Sequence, residues 1–387
     1  MRARTRSLVS LAALAAIAAL LACGPKDFPD ESLINSVRIL ASKSDQPYAH
    51  PGATVRSTVL AVDARPDASV NEPMQINWLP FVCVNPPDDA YYACFTAFYQ
   101  NASAVLQSGA GDGGMSSTII GAISGWDGGA EASVGAGLPI GGDAGAGGVG
   151  ALGSIPAGTD ISPFLIHGPR TVFHLPANIV SSHKVVKGAT PYGLAVVFNI
   201  ACAGHVEVIP LDPNNPDPEQ IPFGCFNAQH QQLSADDYVI GYAEVFAFDA
   251  LTNTNPVISS FAFRDAGVGL EGGVGAPVSF SHCNASKCPD NYAVTGVPDA
   301  SWELDPQNPG DGGPHHEQIW VDYYATMGSL SNEAVLAFDP VLGRVALKAT
   351  DEEDLQSVTS AQKGTLWAVA HDNRGGASWI TVPLTAQ

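Results

Sequence analysis

Positive charge is scarce in this chain. Of 387 residues, 17 are Lys or Arg against 38 Asp or Glu, a formal net charge of −21, and none of the 17 falls between Arg65 and Arg170. A phosphate backbone or an anionic head group is repelled by such a field, so nucleic-acid binding and purely electrostatic membrane attachment are not expected. Charge of either sign is thin: charged residues make up 14% of the chain, where about a quarter is usual. Long apolar runs are missing, with one exception at residues 8–21. That run is too short for a transmembrane helix, which needs about 20 residues. Several motifs that carry chemistry are absent: Cys-x-x-Cys, Gly-x-Ser-x-Gly, His-Glu-x-x-His, and a phosphate-loop Lys behind glycines. Each requires a fixed spacing that places its groups on one face or one turn.

The single apolar run follows Arg2, Arg4 and Arg6 and ends in Leu20-Leu21-Ala22-Cys23. A charged n-region, a short h-region and small residues before a cleavage point make a secretory signal peptide, expected over residues 1–22. The closing tetrad resembles the lipobox of bacterial lipoproteins. The resemblance implies that the Cys23 thiol is diacylated, that cleavage exposes its amine, and that the partner of the mature chain is a lipid bilayer. One acyl chain binds a bilayer marginally, whereas two or three hold stably. Gly24 stands where the family often carries an inner-membrane retention Asp, which implies an outer-membrane location. Residues 23–33, polar and without periodicity, read as a tether.

With Cys23 acylated, six cysteines remain: Cys83, Cys94, Cys202, Cys225, Cys283 and Cys288. Six allow 15 connectivities. They fall in three close pairs along the chain, and the simplest expectation is Cys83–Cys94, Cys202–Cys225 and Cys283–Cys288, formed in an oxidising compartment.

The rest of the chain reads as short strands separated by turn residues. Strand signals occur at 36–41, 55–62, 171–175, 194–200, 206–209, 238–248, 257–261, 318–324, 335–338, 366–370 and 378–384. Met74, Ile76 and Trp78 alternate with polar residues, as on a half-buried strand with Trp78 inward. Residues 355–359 read as a short helical turn. From 109 to 153, Gly fills 17 of the 45 positions. Ordering so much Gly costs entropy that few apolar side chains here repay, so this segment is expected to be a flexible Gly/Ala-rich insertion. Asn253-Thr254-Asn255-Pro256 breaks the strand pattern and marks a boundary. The expected architecture is all-β: two antiparallel β-sandwich domains over 34–252 and 253–387.

Two motifs sharpen that expectation. Val37-Arg38-Ile39-Leu40-Ala41 with Pro51-Gly52-Ala53-Thr54-Val55 is similar to the first strands of a bacterial Ig-like domain. Leu366-Trp367-Ala368-Val369-Ala370-His371-Asp372-Asn373-Arg374-Gly375-Gly376-Ala377-Ser378-Trp379 resembles the last hairpin of one. The chain thus resembles envelope lipoproteins with tandem Ig-like domains, although no Cys pair spans a domain around a Trp as in antibodies.

Clusters that invite a catalytic or metal reading are weak. His315-His316-Glu317 lacks the one-turn spacing of a zincin helix and reads as a solvated loop. Asp212, Asp217 and Glu219, and the run Asp351-Glu352-Glu353-Asp354, lack the alternation and Gly of a calcium loop. His167, His174 and His371 have no Ser and Asp at telling spacing. Asp88-Asp89 and Asp236-Asp237 sit in loops. Tyr91, Tyr92, Phe95, Phe98 and Tyr99 form the densest aromatic cluster. With Cys94 among them they read as a stapled core segment, the alternative being a carbohydrate-stacking surface. No catalytic residue, metal ligand or cofactor is assigned. The expected function is a lipid-anchored envelope protein that binds, adheres or scaffolds without catalysis, with an envelope protein or a polysaccharide as partner. The alternatives are an envelope-polymer hydrolase with its site between the domains and a structural subunit of an outer-membrane complex.

Overall fold

The computed structural model describes residues 32–66, 68, 73–95, 133–134, 158–184, 188–209, 221–265, 268–270, 273–283, 291–297, 303–307, 315–330, 334–338, 352–356 and 358–387. The leader, Cys23, nearly all of the tether and of the 109–153 insertion, Asp212, Asp217, Glu219, Phe98, Tyr99 and Cys288 lie outside them. Ser32 and Leu33, at the end of the expected tether, are already held: Ile34 N donates to Ala325 O at 2.8 Å and Ala325 N donates to Ser32 O at 2.8 Å.

The described chain is nearly all β, in mostly antiparallel sheets. The central strand is Gly193–Cys202, buried along its whole length. It pairs with Tyr238–Ala247 on one side and with Gln75–Trp78 and Cys83–Val84 on the other. Successive side chains of a strand point to opposite faces. Ala195 and Val197 therefore pack with Trp78, Val245, Val55, Val59 and Phe173, the last three of which join this sheet to the sheet of Val37–Ser44, Thr54–Asp63 and Arg170–His174. Leu194, Val196, Phe198 and Ile200 face the other way, onto Phe95, Ile161, Leu165, Val206, Phe223 and the cysteines 83, 94, 202 and 225.

A two-layer sandwich leaves the second of those faces wet. Here it is covered by a third layer, made of the 83–95 loop, residues 158–165, and the hairpin strands His205–Val208 and Phe223–Phe226. Leu194 to Phe198 is a continuous apolar run, the sequence mark of a strand covered on both faces, and it is followed by the buried Asn199. The same double cover explains the strand Gln75–Trp78. Trp78 is fully buried and donates through Nε1 to Gly168 O at 3.0 Å. Asn77, expected on the wet face, is buried too, its Oδ1 lying 2.6 Å from His167 Nδ1.

Strands up to Ala247 and strands from Ser260 onward fall in separate sheets. Ten of the later strands form two five-stranded sheets around one core, with Phe263, Tyr323, Leu366, Ala368 and Val382 at its centre, and the other two, Leu304–Asp305 and His315–His316, pair by themselves. The expected helical turn at 355–359 is corrected here, because Glu352–Gln356 is a strand paired with Tyr292–Gly296 and Ser329–Leu330. Its backbone donors and acceptors are satisfied by those neighbours instead of within a turn. Among the described residues, no helix is long and apolar enough to cross a membrane.

The two groups of sheets meet at the hairpin turn 372–376. Arg374 is buried there and donates to Leu304 O at 3.0 Å and to Thr252 O. Its guanidinium lies 5.0 Å from the Tyr48 ring and 3.3 Å from Glu317 Oε2. Asp372 accepts from the backbone N–H groups of Arg374 (2.8 Å) and Gly376 (2.7 Å), and from Asn253 Nδ2. Asn255 Nδ2 reaches Ser44 O at 2.7 Å. A buried guanidinium needs pairing and hydrogen bonds; the two terminal nitrogens of Arg374 find them here, while its buried Nε makes no hydrogen bond.

Candidate functional site

The third layer carries the side chains with the most chemistry. Its 85–95 loop is closed by the disulfide Cys83–Cys94, with Cα atoms 5.6 Å apart. Asn85, Asp88 and Asp89 have φ of 49°, 55° and 57°, a left-handed conformation that Asn and Asp tolerate better than other side chains. Asn85 holds its own turn: Nδ2 donates to Ile179 O at 2.7 Å and Ser182 Oγ at 3.0 Å, and Oδ1 accepts from Leu194 N at 2.8 Å. Asp89 is held at both oxygens, Oδ1 by His183 Nε2 at 2.8 Å and Oδ2 by the Tyr192 hydroxyl.

With the loop pinned, Tyr91 lies flat against Tyr242 of strand Tyr238–Ala247, ring centroids 4.7 Å apart and planes 17° from parallel. Tyr92 stands edge-on to Tyr91 at 5.7 Å, and Tyr192 packs on Phe246 at 5.8 Å. The stacked pair is 36% and 41% exposed, which places it among the few large apolar side chains left open. The ledge so formed adjoins a shallow cleft lined by Val180, His183, Lys184, Thr190, Pro191 and Tyr192. Glu244 follows Tyr242 by two residues, on the same face of the strand, and is also exposed.

The ledge is electrostatically negative. Partial burial among the rings, and then the charge of Asp89, push the Glu244 carboxyl above its ordinary range. Burial, and then the hydrogen bond and charge of Asp89, push the Tyr192 hydroxyl up to about 12, so it stays protonated and donates. Tyr242 is raised for a similar reason, first by burial and then by Glu244. Flat aromatic faces beside carboxylates and hydroxyls can stack on an apolar ring face and hydrogen-bond its polar substituents.

The aromatic cluster expected to be core is therefore split. Phe95 is 3% exposed and packs on Phe198 at 4.7 Å, while Tyr91 faces out. The disulfide buries the residues after the turn and leaves the turn itself at the surface. Cys202 and Cys225 are joined, with Cα atoms 5.7 Å apart, and Cys283 is also disulfide-bonded.

The solvated-loop reading of His315-His316-Glu317 needs correction. His316 is exposed, but Glu317 is fully buried beside Arg374. Leu304–Asp305 pairs with His315–His316, and that short ladder carries Glu317 into the junction. Burial, and then Asp372, push its carboxyl up to about 8. His167 meets Asn77, His174 meets Thr54 Oγ1 at 2.7 Å, and His371 meets Asp322 Oδ2 at 3.2 Å. Asp237 is in an ion pair with Arg65 at 3.0 Å, and Asp88 in an exposed one with Lys184 at 3.8 Å.

One grouping escaped the sequence reading. His205, Glu207 and His230 bring their ligand atoms within 4.8 Å of one another. The strand signal over 206–209 is enough to put positions 205 and 207 on one face, but nothing in the sequence places His230 beside them.

A scan against protein-family models, a search of curated proteins and a search of solved structures each find no match for this chain.

Proposed function

We propose that this chain is an exported lipoprotein, mature from an acylated Cys23 and anchored in the outer membrane, that binds a polysaccharide without catalysis on the Tyr91–Tyr242 ledge. Its two groups of sheets are read as Ig-like β-sandwich domains meeting near residue 253, the first enlarged by a third layer. The observation that carries the reading is the exposed, disulfide-backed tyrosine stack. Two stacked rings held more than a third exposed present a flat aromatic face on which a sugar ring can stack. The left-handed backbone at Asn85, Asp88 and Asp89, which few other side chains adopt, fixes how that loop presents them. Asp89, Glu244 and the Tyr192 hydroxyl supply polar partners beside the stack. The acidic ledge and the net charge of −21 favour a neutral or amine-bearing polymer over an anionic one.

The test uses the full chain. Its electrophoretic mobility is compared in gels cast with a neutral glucan, with an amine-bearing glycan and without polymer, for wild type and Tyr91→Ala/Tyr242→Ala. Retardation of the wild type, weakened at least tenfold in the double variant at unchanged circular dichroism, is expected. No retardation by either polymer, or equal retardation of both proteins, refutes the ledge. The anchor is tested separately by intact mass of membrane-extracted protein. Acyl mass on a chain beginning at Cys23, lost in Cys23→Ser, is expected; a chain that is never acylated refutes it.

A further inference from the structure

The third layer holds a second arrangement that the polysaccharide reading does not use. Glu207 sits on strand His205–Val208 with its side chain 2% exposed. A buried carboxylate must find partners, and two among the described residues are imidazoles. His205 Nε2 is 2.5 Å and His230 Nδ1 is 2.6 Å from the same oxygen, Oε1. The two rings stand nearly perpendicular, 86° apart, with centroids 5.6 Å from each other.

The scaffold behind these groups is rigid. His205 and Glu207 are two apart on one strand, so they share a face. Cys202, just before that strand, is bonded to Cys225, which lies opposite Val206 in the hairpin partner. His230 projects from a turn that Asn227 closes: Asn227 Oδ1 accepts from Gln229 N at 2.9 Å and Gln231 N at 3.0 Å, while His230 N donates to Asn227 O at 2.9 Å. His230 itself has φ of 57°, a left-handed conformation uncommon for its side chain. Strain of that kind persists where the surroundings impose it, and it clusters at functional sites.

We propose that His205, Glu207 and His230 bind a divalent transition ion of the Zn²⁺ class. The ligands would be Nε2 of His205, Nδ1 of His230 and the Glu207 carboxylate. Two neutral imidazoles and one carboxylate are the donor types that suit Zn²⁺ and its transition-metal neighbours, whereas Ca²⁺ and Mg²⁺ select all-oxygen sites. Metal–ligand bonds of about 2.0–2.1 Å in a tetrahedron place donor atoms about 3.3 Å apart. Spreading the donors by under 1 Å from their hydrogen-bonded separations makes room for an ion. The His230 side chain is 67% exposed and free to make that shift, while Glu207 stays seated. Because the site opens to solvent on the His230 side, the fourth position belongs to water or an incoming donor group. With the ion bound, each imidazole offers a lone pair at the nitrogen that now lies against Oε1 and carries its single proton on the other ring nitrogen.

The test is independent of what the tyrosine ledge binds. Full-length protein stripped with chelator is titrated with Zn²⁺ by calorimetry, alongside His230→Ala and His205→Ala/His230→Ala. Co²⁺ is used in parallel, because its visible absorption reports coordination number. The expected result is one Zn²⁺ per chain, weakened at least 100-fold in His230→Ala, with a four- or five-coordinate Co²⁺ spectrum in the wild type alone. Circular dichroism that matches the wild type shows that the exposed-residue variant folds. Two outcomes overturn the proposal. One is wild-type binding no stronger than that of the double variant, which makes the cluster an ion pair only. The other is undiminished binding by His230→Ala, which puts the ion elsewhere.

Discussion

Glu317 is expected to make this protein less stable as the pH rises, and Glu317→Gln should remove much of that dependence. Its carboxyl is fully buried, and its partners are limited: Glu303 N donates to Oε1 at 3.2 Å, and Arg374 lies 3.3 Å from Oε2. Burial and the neighbouring Asp372 raise its pKa from 4.5 to about 8. The sign comes from proton counting. Between those two values the folded state holds a proton that the unfolded state has lost, so the slope of stability against pH is negative there. Each tenfold change in proton affinity is about 1.4 kcal/mol, so the folded state loses up to about 5 kcal/mol between pH 4.5 and pH 8. The discount from Arg374 is already inside that shift. Asp372, also raised by burial, adds a contribution of the same sign that the variant leaves in place. Gln keeps the acceptor for Glu303 N and cannot ionise. Urea unfolding of both proteins at pH 5, 6.5 and 8.5, followed by circular dichroism, measures the difference. The wild type should lose at least about 2 kcal/mol more than Glu317→Gln over that range. Parallel curves refute the argument, since they mean that Glu317 is ionised and compensated at every pH.

Two further outcomes are expected of the third layer. Replacing Cys202 and Cys225 together by Ser opens a loop of sequence separation 23, worth about 3 kcal/mol by chain entropy; thermal melting should fall by several degrees, and an unchanged melting temperature refutes the estimate. Gly204→Ala places a methyl against the Phe226 carbonyl oxygen, a backbone atom that cannot swing aside. A cost of about 1–3 kcal/mol is expected, together with weaker Zn²⁺ binding because His205 is next in the chain; wild-type stability in this variant contradicts the geometry.

The position of the candidate sites explains why some of this was readable and some was not. Val206 to Ile209 reads as strand from its β-branched residues, and the period of two then joins His205 to Glu207. The turn 227–231 has Ala228 as its single apolar residue, too small to fix its location, so His230 is placed by the hairpin and the disulfide. Tyr91 and Tyr242 are 151 positions apart, and only the docking of the stapled loop on the strand stacks them. Glu317 misleads for the opposite reason: a Pro-Gly loop beside two histidines looks wet, and a two-residue ladder carries it under Arg374.

What the amino-acid sequence determines by itself is set by short-range physics: the all-β character, from branched residues alternating between turn formers, and the low positive charge. The sequence left 15 connectivities open; the expected pairs Cys83–Cys94 and Cys202–Cys225, which close short loops, are found in the fold. Tertiary structure decided the rest. Whether a strand is covered on one face or two depends on which distant segments dock against it, and burial in turn decides which carboxylates are pushed up and which tyrosines stay open. Residues 194–200 read as a strand whose first five residues are all apolar, yet only the folded chain supplies the third layer that buries its second face and brings His205, Glu207 and His230 together.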